Sequence, residues 1–309
     1  MKIAVVGCGA MGSIYAALFA AVNHEVFVVD ADASHVDAIN TMGLRVTGAS
    51  GDRTVKVQAS TKPRSQTADL IIVAVKARHV ESVIPAVTAL LQSNSIVLTI
   101  QNGLGSAEPL ADALTTNQLL IGVAQGFGAS LTEPGVVHHN DMKAIRIGAQ
   151  LDDYDDQSGL RISEQISKLW CQAGFDCTAE ADIARVQWEK LICNAAYSGP
   201  CALTGLTVGE VLDHPHIGPI SQAAATEAWQ VARACGHNLS FDDPVQEVKQ
   251  FAARMPAAKP SVLLDIEAGR KSEIDYINGA VPYQAAKVGL TAPVNATITG
   301  LVQTIEAHQ

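Results

Sequence analysis

The chain has 309 residues, 48% of them hydrophobic, and a formal net charge of −10. That length buries a large core and points to two domains, and the negative balance argues against a nucleic-acid or anionic-membrane surface. No apolar run reaches the length of a membrane span, and six cysteines without Cys-x-x-Cys or His-partnered spacing read as reduced thiols of a cytoplasmic protein rather than a metal site.

In chain order, a β-rich run at Ile3–Val6 leads straight into Gly7-Cys8-Gly9-Ala10-Met11-Gly12, followed by a helix-like segment over Gly12–Val22. This order of strand, Gly-x-Gly-x-x-Gly and helix is what dinucleotide binding requires. Gly7 permits the tight turn, Gly9 leaves the backbone open to the pyrophosphate, and Gly12 lets the helix pack close to the sheet. The phosphates then sit at a helix N-terminus, where unpaired N–H groups and the dipole favour negative charge. The apolar stretch from Ile14 to Val22 resembles a secretion signal, but the glycine motif falls where such a signal's apolar core would begin.

A second strand, Val26–Val29, ends at Asp30, eighteen residues beyond Gly12. An acid there accepts hydrogen bonds from the adenosine ribose and repels the extra phosphate of NADP, so NAD(H) is expected over NADP(H). No Lys or Arg falls between Lys2 and Arg45 to reverse that preference, although Lys76 and Arg78 stand after the next major strand. Asp32 and Ser34 are better placed than Asp30 to cap the helix expected at Ser34–Thr41.

Strands at Leu70–Val75 and Ser95–Ile100, with a helix at Val80–Gln92 between them, continue the alternation. A parallel sheet covered on both faces is the expected result. Shorter strands are expected at Leu119–Ala124, Val136–His139 and Ala144–Ile147. An exposed Asp-rich loop, Asp152–Ser158, precedes a helix near Leu160–Ala173. From Ile183 the strand pattern stops. The expected division is an α/β dinucleotide-binding domain over 1–182 and an all-α domain over 183–309, punctuated at Gly199-Pro200, His214-Pro215 and Met255-Pro256.

Ligands of an open parallel sheet bind beyond the carboxyl ends of its strands. Lys76 and Asn102 stand in such loops. Asn102 could hold a ring carboxamide, a ribose or a substrate oxygen, although Asn-Gly is equally a simple turn. In the helical half, Lys190, Asn194 and Ser198 recur at i, i+4 and i+8, a polar stripe in an otherwise apolar helix. A buried lysine there must be paired, and its charge suits a developing alkoxide. Ser272 and Asp275 resemble a helix start, which would put Glu273 in the first turn.

Six segments, taken together, resemble the ketopantoate reductase family, which comprises 2-dehydropantoate 2-reductases and related D-2-hydroxyacid dehydrogenases. They are Gly7–Gly12, Lys76-Ala77, Asn102–Gly105, Trp188–Asn194, Ser261–Asp265 and Ser272–Gly279. The resemblance implies a Rossmann domain joined to a helical domain, and a nicotinamide-dependent reductase of a small 2-oxoacid; a homodimer is expected from the apolar all-α domain. It implies that Lys190 is the general acid, that Glu273 orients substrate or lysine, that Asn102 and Asn194 bind substrate, and that Ser261 holds its carboxylate. Two departures from the family pattern point away from ketopantoate itself. Asp30-Ala31 replaces a basic residue used for NADPH, and Ser198 stands where the family carries asparagine. The alternatives are an NADPH-dependent 2-dehydropantoate 2-reductase of pantothenate biosynthesis and, more remotely, an imine reductase or a non-catalytic NAD-binding protein.

Overall fold

The computed structural model describes residues 1–114, 119–126, 128–141, 144–150 and 156–309. They form two compact units. One comprises Met1–Gln101 and Ser106–Ile183; the other comprises Asn102–Gly105 and Ala184–Gln309.

The first unit is built in the order β1 (Lys2–Val6), α1 (Ala10–Ala21), β2 (Glu25–Val29), α2 (Ala33–Met42), β3 (Leu44–Gly48), β4 (Arg53–Val55), β5 (Gln58–Ser60) and β6 (Leu70–Val73). It continues with α3 (Val80–Leu90), β7 (Ile96–Thr99), α4 (Glu108–Ala113), β8 (Leu119–Gln125), β9 (Gly128–Glu133), β10 (Val136–Asp141), β11 (Ala144–Ala149), α5 (Asp156–Gln172) and β12 (Cys177–Ala179). Eight strands make the main sheet in the order β12-β11-β8-β7-β6-β1-β2-β5. Every pair in it is parallel except β11 with β8.

β1 explains why the apolar runs do not alternate. Ile3 and Val5 join the core beneath α1 and α5, while Ala4 and Val6 join the core beneath α3 and α4, so both faces are covered. Under α1 and α5 an aromatic cluster forms: Trp170 meets Tyr15 at 5.0 Å, Phe19 at 5.2 Å and Phe175 at 4.7 Å between ring centroids. Each such pair adds roughly 0.5–1.5 kcal/mol beyond its buried area.

The expected parallel sheet forms, but not every expected strand belongs to it. Val136–His139 belongs to a second, four-stranded sheet, β4-β3-β10-β9, in which β10 pairs parallel with β3 and antiparallel with β9. This sheet covers the outer side of α1. A helix enclosed by two sheets must be apolar all round, which accounts for the signal-like composition of Ile14–Val22. Strands β3, β4, β5, β9 and β12, none of them longer than six residues, were not expected. Of the Asp-rich loop, residues 152–155 lie outside the described residues, while Asp156–Ser158 already belongs to α5.

The second unit is helical: α6 (Ile183–Thr204), α7 (Val208–Asp213), α8 (Ile217–Ala234), α9 (Pro244–Arg254), α10 (Ser261–Glu267), α11 (Ala280–Lys287) and α12 (Pro293–Ala307). Gly199-Pro200 does not punctuate it, because α6 runs through both residues. Proline lacks the N–H that would bond the carbonyl of Ala196. Ser221 donates its hydroxyl to that carbonyl at 2.6 Å, and Asn278 donates to the neighbouring carbonyl of Ala195 at 2.9 Å. With the released carbonyl of Ala196 satisfied, the helix continues. His214-Pro215 and Met255-Pro256 do separate helices. Among the described residues no helix is long and apolar enough to cross a membrane.

Candidate active site

The glycine turn follows directly from local sterics. Gly7 has φ +91°, and a Cβ there would lie 2.6 Å from the backbone nitrogen of Val75. A Cβ on Gly12 would lie 2.0 Å from the Gly7 carbonyl oxygen, whereas one on Gly9 would meet nothing within 4 Å. The turn is therefore closed on the sheet side and open at Gly9. Helix α1 starts at Ala10 with no side-chain cap, leaving its first N–H groups for an anion. Cys8 and Gly12 are buried, Ala10 and Met11 partly so.

Asp30 stands at the end of β2. Its carboxylate accepts the backbone N–H of Cys8 and, at 2.9 Å, that of Asp32. The acid is thus fixed beside the turn. Asp32, not Asp30, caps α2, accepting from Ser34 and His35 at 2.9 and 3.2 Å. Lys76 leads into a single 3₁₀ turn, Ala77–His79, beyond β6. These features fit the pyrophosphate and adenosine ribose of a dinucleotide.

In the second unit, Asn102, Lys190 and Glu273 form one hydrogen-bonded chain. Lys190 Nζ donates to Asn102 Oδ1 at 2.7 Å, and Asn102 Nδ2 donates to Glu273 Oε2 at 3.5 Å. Burial lowers the Lys190 pKa from 10.5 to about 8, and the negative charge of Glu273 limits the fall. Asn194 and Ser198 follow one and two turns along α6, the first partly buried and the second 3% exposed. Ser261 opens α10 with its side chain exposed.

The segments that carry the chain are tightly held. Asn102-Gly103 is more than a turn signal. Gly103 has φ +83°, a Cβ there would lie 1.9 Å from the Tyr276 carbonyl, and that carbonyl accepts the Leu104 N–H at 2.9 Å. Glu273 does not lie in a first helical turn, as the Ser272/Asp275 spacing suggested. It precedes a 3₁₀ turn, Ile274–Tyr276, whose first N–H bonds the Ser272 hydroxyl at 3.2 Å. Ser272 in turn donates to Glu306 on α12, through both its backbone N–H and its hydroxyl. The Arg270 guanidinium binds Asp265 at 3.0 and 3.1 Å. The Tyr276 and Glu306 supports went unread in the sequence because they lie far along the chain from Leu104 and Ser272, and the Arg270–Asp265 pair, though only five residues apart, forms no recognisable motif.

Comparison with known proteins fits this geometry. The family model for ketopantoate reductase PanE/ApbA matches residues 3–151, and the model for its C-terminal part matches residues 182–306. The chain is 29% identical over 305 residues to a 2-dehydropantoate 2-reductase of Halobacterium salinarum, covering 98% of each chain. A PanE/ApbA family ketopantoate reductase from Ralstonia eutropha JMP134 superposes with a TM-score of 0.89 at 30% identity, over 100% of this chain and 99% of that one. A D-mandelate dehydrogenase solved with NADH and anilino(oxo)acetate shares the fold, with a TM-score of 0.90 at 24% identity over 100% and 99% of the two chains.

Proposed function

The chain belongs to the ketopantoate reductase PanE/ApbA family, and on that premise we propose that it reduces a 2-oxoacid to a D-2-hydroxyacid with NADH, Lys190 acting as general acid. It is an oxidoreductase that uses a nicotinamide cofactor; the preference for NADH, the substrate and the residue roles are our reading. The observation that carries it is the hydrogen-bonded chain of Lys190, Asn102 and Glu273.

A bound nicotinamide supplies the hydride. The protein must place a proton donor and positive charge at the ketone oxygen, and hold the carboxylate. An ammonium with a pKa near 8 is mostly protonated at neutral pH, yet gives up its proton more readily than an exposed lysine. Glu273 keeps that ammonium charged. Asn102 fixes its direction through the 2.7 Å bond. Asn194 and Ser198 bind the substrate from the same helix, and the Ser261 hydroxyl receives its carboxylate. The serine at 198, shorter than the family's asparagine, leaves room for a bulkier side chain than that of ketopantoate.

For the cofactor, Gly7 to Gly12 and the first turn of α1 cradle the pyrophosphate. Lys76 and Asn102 are the further cofactor-binding residues, Asn102 through its amide toward the ring carboxamide or ribose, and Asp30 binds the adenosine ribose. The two backbone N–H groups on its carboxylate hold it in place beside the glycine turn, and its negative charge opposes a 2′-phosphate. The relatives named 2-dehydropantoate 2-reductase favour ketopantoate as a second substrate reading, with which we pair NADPH as the alternative cofactor. Initial rates with NADH and NADPH against ketopantoate, 2-oxoisovalerate, 2-oxoisocaproate and phenylglyoxylate separate the two. NADH turnover of several bulky acids supports the first; NADPH turnover of ketopantoate alone replaces it with the second.

A further inference from the structure

Beneath the glycine turn lies a buried polar relay that the dinucleotide motif does not include. Ser13 on α1 is fully buried and His35 on α2 is 1% exposed. The Gly135 N–H, in the turn between β9 and β10, donates to His35 Nδ1 at 2.9 Å. With Nδ1 accepting, the ring proton belongs on Nε2, which lies 3.3 Å from Ser13 Oγ. The Ser13 hydroxyl then donates to the Cys8 carbonyl at 2.8 Å. The Cys8 thiol lies 3.4 Å from the Ser13 hydroxyl oxygen, and burial pushes its pKa up to about 12, so it stays protonated and can donate there. The hydroxyl oxygen thus has one outgoing and two incoming hydrogen bonds, its full capacity. Every proton in the relay has one direction.

That direction matters to the cofactor. The carbonyl of Cys8 and the N–H of Gly9 share one planar trans peptide and point opposite ways. Holding the carbonyl inward on Ser13 sends the Gly9 N–H outward, on the exposed side where a Cβ would meet no atom. Asp30 fixes the preceding peptide through the Cys8 N–H. We infer that Ser13, locked by His35, is a positioning residue for the cofactor, aiming the Gly9 N–H at the pyrophosphate. Without the hydroxyl, this peptide can rotate to find another donor and turn its N–H away.

The inference rests on the dinucleotide-binding reading, and binding alone tests it. Dissociation constants of NADH (by fluorescence), ADP-ribose and adenosine are measured for the wild type, Ser13→Ala, Ser13→Thr and His35→Leu, alongside thermal melts. Ser13→Ala is expected to weaken NADH and ADP-ribose roughly tenfold, the effect of one misdirected hydrogen bond to a charged group. Adenosine, which lacks the pyrophosphate, should be unaffected. Ser13→Thr keeps the hydroxyl and should bind near the wild-type level. His35→Leu unlocks the hydroxyl without removing it, and should lose affinity for the same two ligands; it carries the test if Ser13→Ala does not fold. Folded Ser13→Ala and His35→Leu with wild-type affinities would overturn the inference alone, as would an equal loss for adenosine. Wild-type protein that binds neither NADH nor ADP-ribose would overturn the cofactor reading as well.

Discussion

Lys190 donates to Asn102 at 2.7 Å, which ties the ammonium on α6 to a side chain 88 positions earlier in the chain. The bond uses one of the three ammonium protons, so a ketone oxygen can take another while Asn102 still fixes the direction of approach. Lys190→Ala removes donor and charge together. Its kcat for 2-oxoacid reduction should fall 10²- to 10⁴-fold, the usual worth of a positioned general acid. NADH affinity, measured by fluorescence titration, should stay within about threefold, because the loss lies in the transition state. A variant within tenfold of wild-type turnover would remove Lys190 from the mechanism.

The pH profile follows from the same group. Reduction consumes the protonated form of Lys190, whose pKa lies at about 8. The rate of reduction should therefore be flat below pH 8 and fall tenfold per pH unit above it, while oxidation of the hydroxyacid gains over the same range. The free-enzyme pKa is read from kcat/KM between pH 6 and 10. A reduction rate that holds level through pH 9.5 would show that another group delivers the proton.

The site is also held at the expense of stability. Above pH 10.5 the lysine is neutral in both folded and unfolded chains, and no cost arises. Between 10.5 and about 8 the unfolded chain takes up a proton that the folded chain refuses. Below about 8 both carry it, and the folded state bears a full penalty of ~3 kcal/mol. Lys190→Met should therefore stabilise the protein at pH 7 by about 1–3 kcal/mol, less than the full figure because Asn102 loses its donor. Urea melts should show the gain shrinking as the pH rises from 8 to 10.5. A variant no more stable than wild type at pH 7 would mean the ammonium is better solvated than its burial implies.

The parts of this molecule that were legible in the sequence are those written in short range. Gly7 to Gly12, the apolar runs of β1, β2, β6 and β7, and the Lys190–Ser198 stripe each carry their signal within a dozen residues. What was hidden depends on partners far apart in the chain. The three residues of β4 have no periodicity to detect, and the five of β3 are placed by β10, about ninety positions later in the chain. Pro200 signals a break, and only Ser221, from another element, explains its tolerance. Likewise nothing near His35 marks it as a neighbour of the glycine turn, because Ser13 and Gly135 meet it only in the fold.

Asp30 has two tasks that one substitution can separate. Its carboxylate holds the N–H groups of Cys8 and Asp32, and its charge opposes a 2′-phosphate. Asp30→Asn keeps an acceptor for one of those N–H groups but discards the charge, whereas Asp30→Ala discards both. Both variants should shift the NADH/NADPH ratio of kcat/KM toward NADPH by at least about tenfold, the worth of one charged contact. Only Asp30→Ala should also weaken NADH strongly. Unchanged selectivity in both would assign the preference to other residues, with Lys76 and Arg78 the first to test.

Two glycines of one motif should fail in opposite ways. A methyl group on Gly12 would lie 2.0 Å from the Gly7 carbonyl oxygen and 3.3 Å from the Val5 side chain. Neither the buried turn nor β1 can yield cheaply, so Gly12→Ala should cost about 3 kcal/mol of stability, as overpacked sites do. A methyl group on Gly9 meets no protein atom, and the residue's φ of −63° suits alanine. Gly9→Ala should therefore melt within a degree or two of wild type, consistent with a surface change below about 0.5 kcal/mol. It should still bind NADH and ADP-ribose at least about tenfold more weakly, because its methyl group occupies the space through which the pyrophosphate approaches the backbone. Calorimetry of the two variants, with and without ADP-ribose, reads both effects. If Gly9→Ala bound ADP-ribose as the wild type does, the open side of the turn would not be where the phosphates lie.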